Sequence, residues 1–156
     1  MTERELNIAL REMARAKGLC DDWYSKWGDD DTIEMCLLRA IRGFDFCVKY
    51  DYPPLDFIRS NFDKEILHRY NIFLDEEVTI EYGLNGYYVF LGDCIAEVNF
   101  DSFKAATIYV RHNSKVNVKA SGGSKVFVSY YDSSQGDCNS DGWSACKKYD
   151  RRKKEG

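Results

Sequence analysis

The chain has 156 residues, with 22 Lys and Arg against 26 Asp and Glu, and a formal charge of −4. Its 44% hydrophobic content excludes an intrinsically disordered chain, and no apolar run approaches the ~20 residues that a bilayer-spanning helix needs. Three Trp, eleven Tyr and nine Phe exceed what burial alone requires, which points to a binding surface.

The first half reads as helical. Thr2 and Glu5 have the spacing of a capping box, Leu6, Leu10 and Met13 line one face, and Gly18 supplies a left-handed stop. A short helix follows around Trp23 and Trp27, and Asp29, Asp30 and Asp31 make a solvated break. Asp31 and Glu34 repeat the capping-box spacing at the head of one longer helix carrying Ile33, Leu37, Ile41, Phe44 and Val48, with Gly43 inside it. Pro53 and Pro54 break the chain before a further helix through Phe57, Ile58 and Phe62 to about Asn71.

From Ile72 the apolar period shortens to two. A small residue followed by two alternating apolar ones recurs with starts at Ala96, Ala106, Ser114 and Ser124, the middle interval being slightly shorter than its neighbours. Pairs of units make a repeat of roughly 18–20 residues with no tight hairpin turn, which predicts a short β-solenoid of two coils; an antiparallel β-meander is the alternative. The expected fold is therefore α+β: a helical part over 1–71, a solenoid over 72–146 closed by the segment around Trp143, and a basic tail over 147–156.

That tail holds six Lys and Arg against two acids, leaving a body of −8, which suits a protein partner with a basic surface. Direct nucleic-acid contact is disfavoured except through the tail. The N-terminus Met-Thr-Glu-Arg-Glu lacks the basic and apolar regions of a signal peptide, so a cytoplasmic address with six reduced cysteines is expected.

The segments Gly18–Tyr24, Ile41–Cys47, Asp51–Pro53 and Tyr109–Val116 resemble a family of small uncharacterised proteins encoded by phages, prophages and mobile elements of gut bacteria. The resemblance covers most of the chain. It implies a helical start, β-solenoid rungs and a role in phage-host conflict or phage physiology inside the host cell, and it carries over no catalytic residue.

Asp137, Asn139 and Asp141, with Gly142, fit the start of a calcium loop, but Lys148 stands where the bidentate Glu belongs. An Asp/Asn turn is preferred, with a shorter calcium site as the alternative and no other cofactor expected. The two histidines, His68 and His112, read as structural, and Cys94 with His112 is the least poor thiol pair for catalysis. With valines inward, Tyr109 and Phe127 point outward one expected coil apart, stacked as neighbours, and Arg111 joins them as a partner-binding ladder. The competing reading has the helical half covering this face. The expected function is non-enzymatic: an accessory or inhibitor protein that blocks a host nucleic-acid enzyme, as an anti-CRISPR protein does. The alternative is a virion or self-associating structural component.

Overall fold

The computed structural model describes residues 1–152 and divides the chain into a helical unit, Met1–Ile66, and a β unit from Leu67 on. In the helical unit α1 (Glu3–Lys17) carries the expected capping box, Thr2 Oγ1 accepting from Glu5 N–H at 3.1 Å, and ends on Gly18 at φ +115°. α2 (Asp21–Ser25) is short. The longer helix expected next is two: α3 (Ile33–Arg42) and α4 (Phe44–Tyr50), separated at Gly43. The cap of α3 is Thr32, whose hydroxyl accepts from Met35 N–H, and not Asp31, because the Asp31 carboxylate is occupied by Gly28 N–H and by Arg39. α5 (Leu55–Asn61) and α6 (Lys64–His68) follow.

Asn7, fully buried in α1, organises the loop before α3. Its amide donates to the carbonyls of Gly28 and Asp29, and its oxygen accepts from the Trp27 indole at 2.7 Å and from the Cys36 thiol. Every hydrogen-bonding direction of that side chain is used, which is what makes a buried amide tolerable. The acidic run is solvated at Asp29 and Asp30, as expected, and each acid also has a cationic partner: Asp29 pairs with Arg11, Asp30 with Arg4 and the half-buried Asp31 with Arg39.

The β unit is a parallel β-solenoid of two facing sheets. One contains β1 (Ile72–Leu74), β3 (Gly86–Leu91), β5 (Ala105–Val110), β7 (Lys125–Tyr130) and β9 (Ala145–Asp150); the other contains β2 (Glu77–Ile80), β4 (Ile95–Phe100), β6 (Lys115–Ala120) and β8 (Cys138–Ser140). All seven strand pairings are parallel, so a meander is excluded. From β3 onward the register is constant: Ala106 lies beside Val126, Val118 beside Cys138 and Val126 beside Cys146.

The winding is thus one of 20 residues, the same separation that the corner hydrogen bonds from Cys94 to Ser114 and from Lys104 to Ser124 span. The array begins at Ile72 and runs on through Asp150. The apparent shortening between Ala106 and Ser114 arose because small residues stand there for two reasons. Ala96 and Ala106 are the first inward positions of their strands, whereas Ser114 and Ser124 lie at corners, where their hydroxyls accept from the backbone N–H groups of Cys94 and Lys104.

The core is a column of inward residues in which side chains flanking a corner trade volume: Phe90 with Ala96, Val110 with Val116, Tyr130 with Gly136. At Gly136 a Cβ would collide with the Val116 carbonyl and stand 2.7 Å from the Tyr130 hydroxyl. The last coil closes differently from the expected Trp143 plug. Cys138 and Cys146 occupy the inward positions below Val118 and Val126 and form a disulfide across the core, with Cα atoms 5.7 Å apart. Two cysteines on facing sheets at the same rung meet the distance a disulfide needs, which corrects the expectation of six reduced thiols. Lys148 covers the remaining opening, its ammonium donating to Gly136 O at 2.8 Å and lying 5.2 Å from the Tyr130 ring. Lys147 and Lys148 of the expected basic tail therefore belong to β9, and Lys153, Lys154 and Glu155 lie outside the described residues.

Candidate recognition surface

The outward face of the five-stranded sheet carries one aromatic ring per coil, alternating between two columns. Tyr87, Thr107, Phe127 and Lys147 form one column, and Val89, Tyr109, Ser129 and Tyr149 the other. Tyr109 and Phe127 are accordingly not register partners as expected. Instead the rings stack on the diagonals, Tyr87 with Tyr109 and Phe127 with Tyr149, each at a centroid separation of 6.3 Å. Phe127 is 45% exposed and Tyr109 half-buried. Lys147 and Arg151 flank the Tyr149 ring at 5.9 and 5.0 Å.

Arg111 is not part of this face. It is 4% exposed, past the end of β5, with its Nε donating to Asp132 Oδ2 at 3.0 Å. Period-two counting fails there because the strand has already turned the corner. Burial works to raise the Asp132 carboxyl, but the His112 backbone N–H and the Arg111 guanidinium outweigh it and hold the group below the usual carboxylate range.

The most exposed aromatic pair lies at the corner following the four-stranded sheet. Phe103 is 67% and Trp143 72% exposed, and their rings meet edge to face at 5.2 Å across the intervening coil. Gly123 makes this possible, since a Cβ there would stand 2.7 Å from the Phe103 ring. The corner requires left-handed backbone. Gly122 and Gly123 adopt it at φ +60° and +83°, while one coil earlier Ser102 and Phe103 adopt it at +60° and +61°. For a residue with a Cβ this conformation costs about 1–2 kcal/mol, so Phe103 keeps a ring in water at a conformational cost. Phe103 was not singled out from sequence, and Trp143 was expected only as part of the segment closing the solenoid. Their signal was the alignment of Ser102-Phe103 on Gly122-Gly123, visible once the pairing of β5 with β7 fixes the coil length.

The residues considered for chemistry are dispersed. Asp137, Asn139 and Asp141 lie along β8 and its ends, with Asp137 N–H bonded to Asn117 Oδ1 and Asp141 N–H to Ala120 O. An extended chain separates the first and last by ~13 Å, so their oxygens do not converge at the 2.3–2.6 Å that calcium requires. Among the described residues no group of three or more His, Cys, Asp and Glu side chains is placed to hold a metal ion. The Cys94 thiol is raised by burial and lies within hydrogen-bonding distance of the carbonyls of Leu91 and Phe73, the reverse of an activated thiolate. His112 Nδ1 accepts from Gly92 N–H at 2.9 Å, tying two corners together, and His68 Nε2 pairs with Glu76 at 2.7 Å.

Charge is segregated along the sequence. Residues 67–100 hold one Arg against six acids, whereas 101–152 hold nine Lys and Arg against five acids. Phe103, Phe127, Trp143 and Tyr149 all belong to the basic part. No helix among the described residues is long and apolar enough to cross a membrane. The fold and this surface define a short two-sheet parallel β-solenoid with aromatic groups displayed on one face and one corner. Compared with protein-family profiles, curated proteins and solved structures, the chain has no match.

Proposed function

We propose that the chain is a non-enzymatic accessory or inhibitor protein that acts by binding another protein through the aromatic corner and face of its solenoid. The observation that carries this reading is Phe103: a large apolar ring, two-thirds exposed, held in a left-handed backbone position that the next coil fills with glycine. The edge-to-face contact with Trp143 still leaves most of both rings in water; Trp is a residue in which interface energy concentrates and Phe is enriched at interfaces. A phage-type setting rests on the family resemblance. A host nucleic-acid enzyme with a basic substrate path is the target class suggested by the acidic first hundred residues, net charge −9, whereas the aromatic corner and face lie in the basic part of the chain and supply apolar anchoring rather than charge complementarity. Blocking access as an anti-CRISPR protein does would place the chain in the host cytoplasm, with the Cys138–Cys146 disulfide, of a kind uncommon in a reducing compartment, the feature that argues against that address.

The test is capture from host extract with the tagged wild-type chain and with the variants Phe103→Gly and Trp143→Ala. A stoichiometric partner should be held by wild type and lost by both variants while their solenoids stay folded. Equal capture by all three chains would refute the assignment.

A second reading, a self-associating structural component, is favoured by two features. β9 pairs only with β7 among the described residues, leaving a six-residue edge, and the acidic and basic parts of the chain are mutually complementary. Light scattering decides it: monomer alone at high concentration and low salt removes this reading.

A further inference from the structure

The helical unit holds a half-open apolar cavity of about 250 Å³ that the solenoid surface does not use. Its walls are Leu19, Trp23, Trp27, Arg39, Ala40 and Phe46, drawn from α2, α3, α4 and the loops beside them, with Cys20 at the wall as an exposed thiol. Protein interiors pack at crystal density and leave few voids larger than a water molecule. A cavity of about 150 Å³ with comparable apolar walls already takes a benzene ring, so this one has room for two fused rings.

The chemistry of the walls restricts the occupant. Four ring systems, Trp23, Trp27, Phe46 and Tyr52, line the space open to a flat guest. Arg39 is the only charged wall group among the described residues and is already committed: it is paired with Asp31, and its guanidinium carbon lies 4.7 Å from the centre of the Trp27 ring. Its Nη1 is buried with no hydrogen-bond partner, closed off from solvent. The Arg39 charge is already balanced by Asp31, so a guest carboxylate or phosphate would lose its hydration on entry with only a shared guanidinium to replace it. The Cys36 thiol, pushed up to about 11 by burial, adds a neutral and polarisable surface. Gly43 also lines the cavity, and a Cβ there would stand 4.0 Å from the Trp23 ring.

We propose that this cavity is a binding site for a small neutral aromatic molecule of one or two fused rings. The site belongs to the helical unit and stands or falls independently of the partner-binding surface on the solenoid.

The test uses the full chain with indole as the probe and decan-1-ol as the comparison, followed by calorimetry and by the side-chain N–H resonances of Trp23 and Trp27. Saturable binding of indole is expected, with shifts at both tryptophans and alkylation of Cys20 by iodoacetamide slowed at least threefold. Ala40→Phe, which fills the cavity from α3, should weaken indole binding at least tenfold. Trp23→Ala removes one wall from a partly exposed position and should weaken it at least threefold, so it decides the matter should Ala40→Phe fail to fold. The proposal is overturned if indole shows no saturation up to its solubility limit, if both folded variants bind as well as wild type, or if decan-1-ol binds and indole does not.

Discussion

Reducing the Cys138–Cys146 disulfide should loosen the last coil of the solenoid and leave the middle intact. The bridge closes a loop with a sequence separation of 8, and the loop-closure relation assigns such a cross-link about 2.5 kcal/mol at 25 °C. In a stacked array each coil contacts only its neighbours, so the loss falls on β9 and its pairing with β7 rather than on the whole domain. At about 1.4 kcal/mol per factor of ten, hydrogen exchange at the β9 amides should accelerate roughly 60-fold in reductant, while the amides of β3 and β5 keep their protection. Replacing both residues with valine, as in Val118 and Val126 one coil earlier, separates cross-linking from packing. The double variant Cys138→Val/Cys146→Val should recover about 1–2 kcal/mol relative to the reduced chain through added apolar burial. Unchanged β9 exchange on reduction would refute the reasoning, as would β3 and β5 opening together with β9.

Gly136→Ala should destabilise the solenoid by about 3 kcal/mol or more, because a methyl group there overlaps the Val116 carbonyl and crowds the Tyr130 hydroxyl, which donates to that carbonyl; urea unfolding measures it. Asp132→Asn should cost about 1–2 kcal/mol, less than a fully buried pair would, since Asp132 keeps more than a third of its side chain in water. Because the folded Asp132 carboxyl lies below its unfolded value, its contribution is present above the ordinary carboxylate range and lost as pH falls through the folded value. Denaturation midpoints from pH 7 to 2 should therefore fall less steeply in Asp132→Asn than in wild type. Among the four free cysteines, iodoacetamide should modify Cys20 in the native state and reach Cys36, Cys47 and Cys94 only on unfolding; native labelling of Cys94 would contradict its placement.

The inward residues of β4 to β7 were legible because the two-residue alternation of Val98, Phe100, Ile108, Val110, Val116, Val118, Val126 and Val128 is a direct imprint of burial on one side. The phase of the repeat was not, since Ala106 and Ser114 are both small for unrelated reasons, one packing in the core and the other closing a corner. That small slip in phase misplaced Phe127 against Tyr109 and hid the partnership of Phe103 with Trp143. Arg111 was misread for a related reason: its burial depends on Asp132 in the next coil, a contact that no local pattern carries. In the helical unit the capping box at Thr2 was plain, whereas the cap at Thr32 was obscured by a neighbouring Asp31 committed to Arg39.

The invariant winding from β3 onward makes the β unit modular in a genetic sense. Duplicating or excising one coil's worth of codons after β3 joins each position to its own counterpart, so neither the register nor the alternation of faces is disturbed. Each such event shifts the far end of the molecule by about 4.8 Å, the spacing of neighbouring strands. The separation between aromatic groups on different rungs is therefore adjustable in fixed increments.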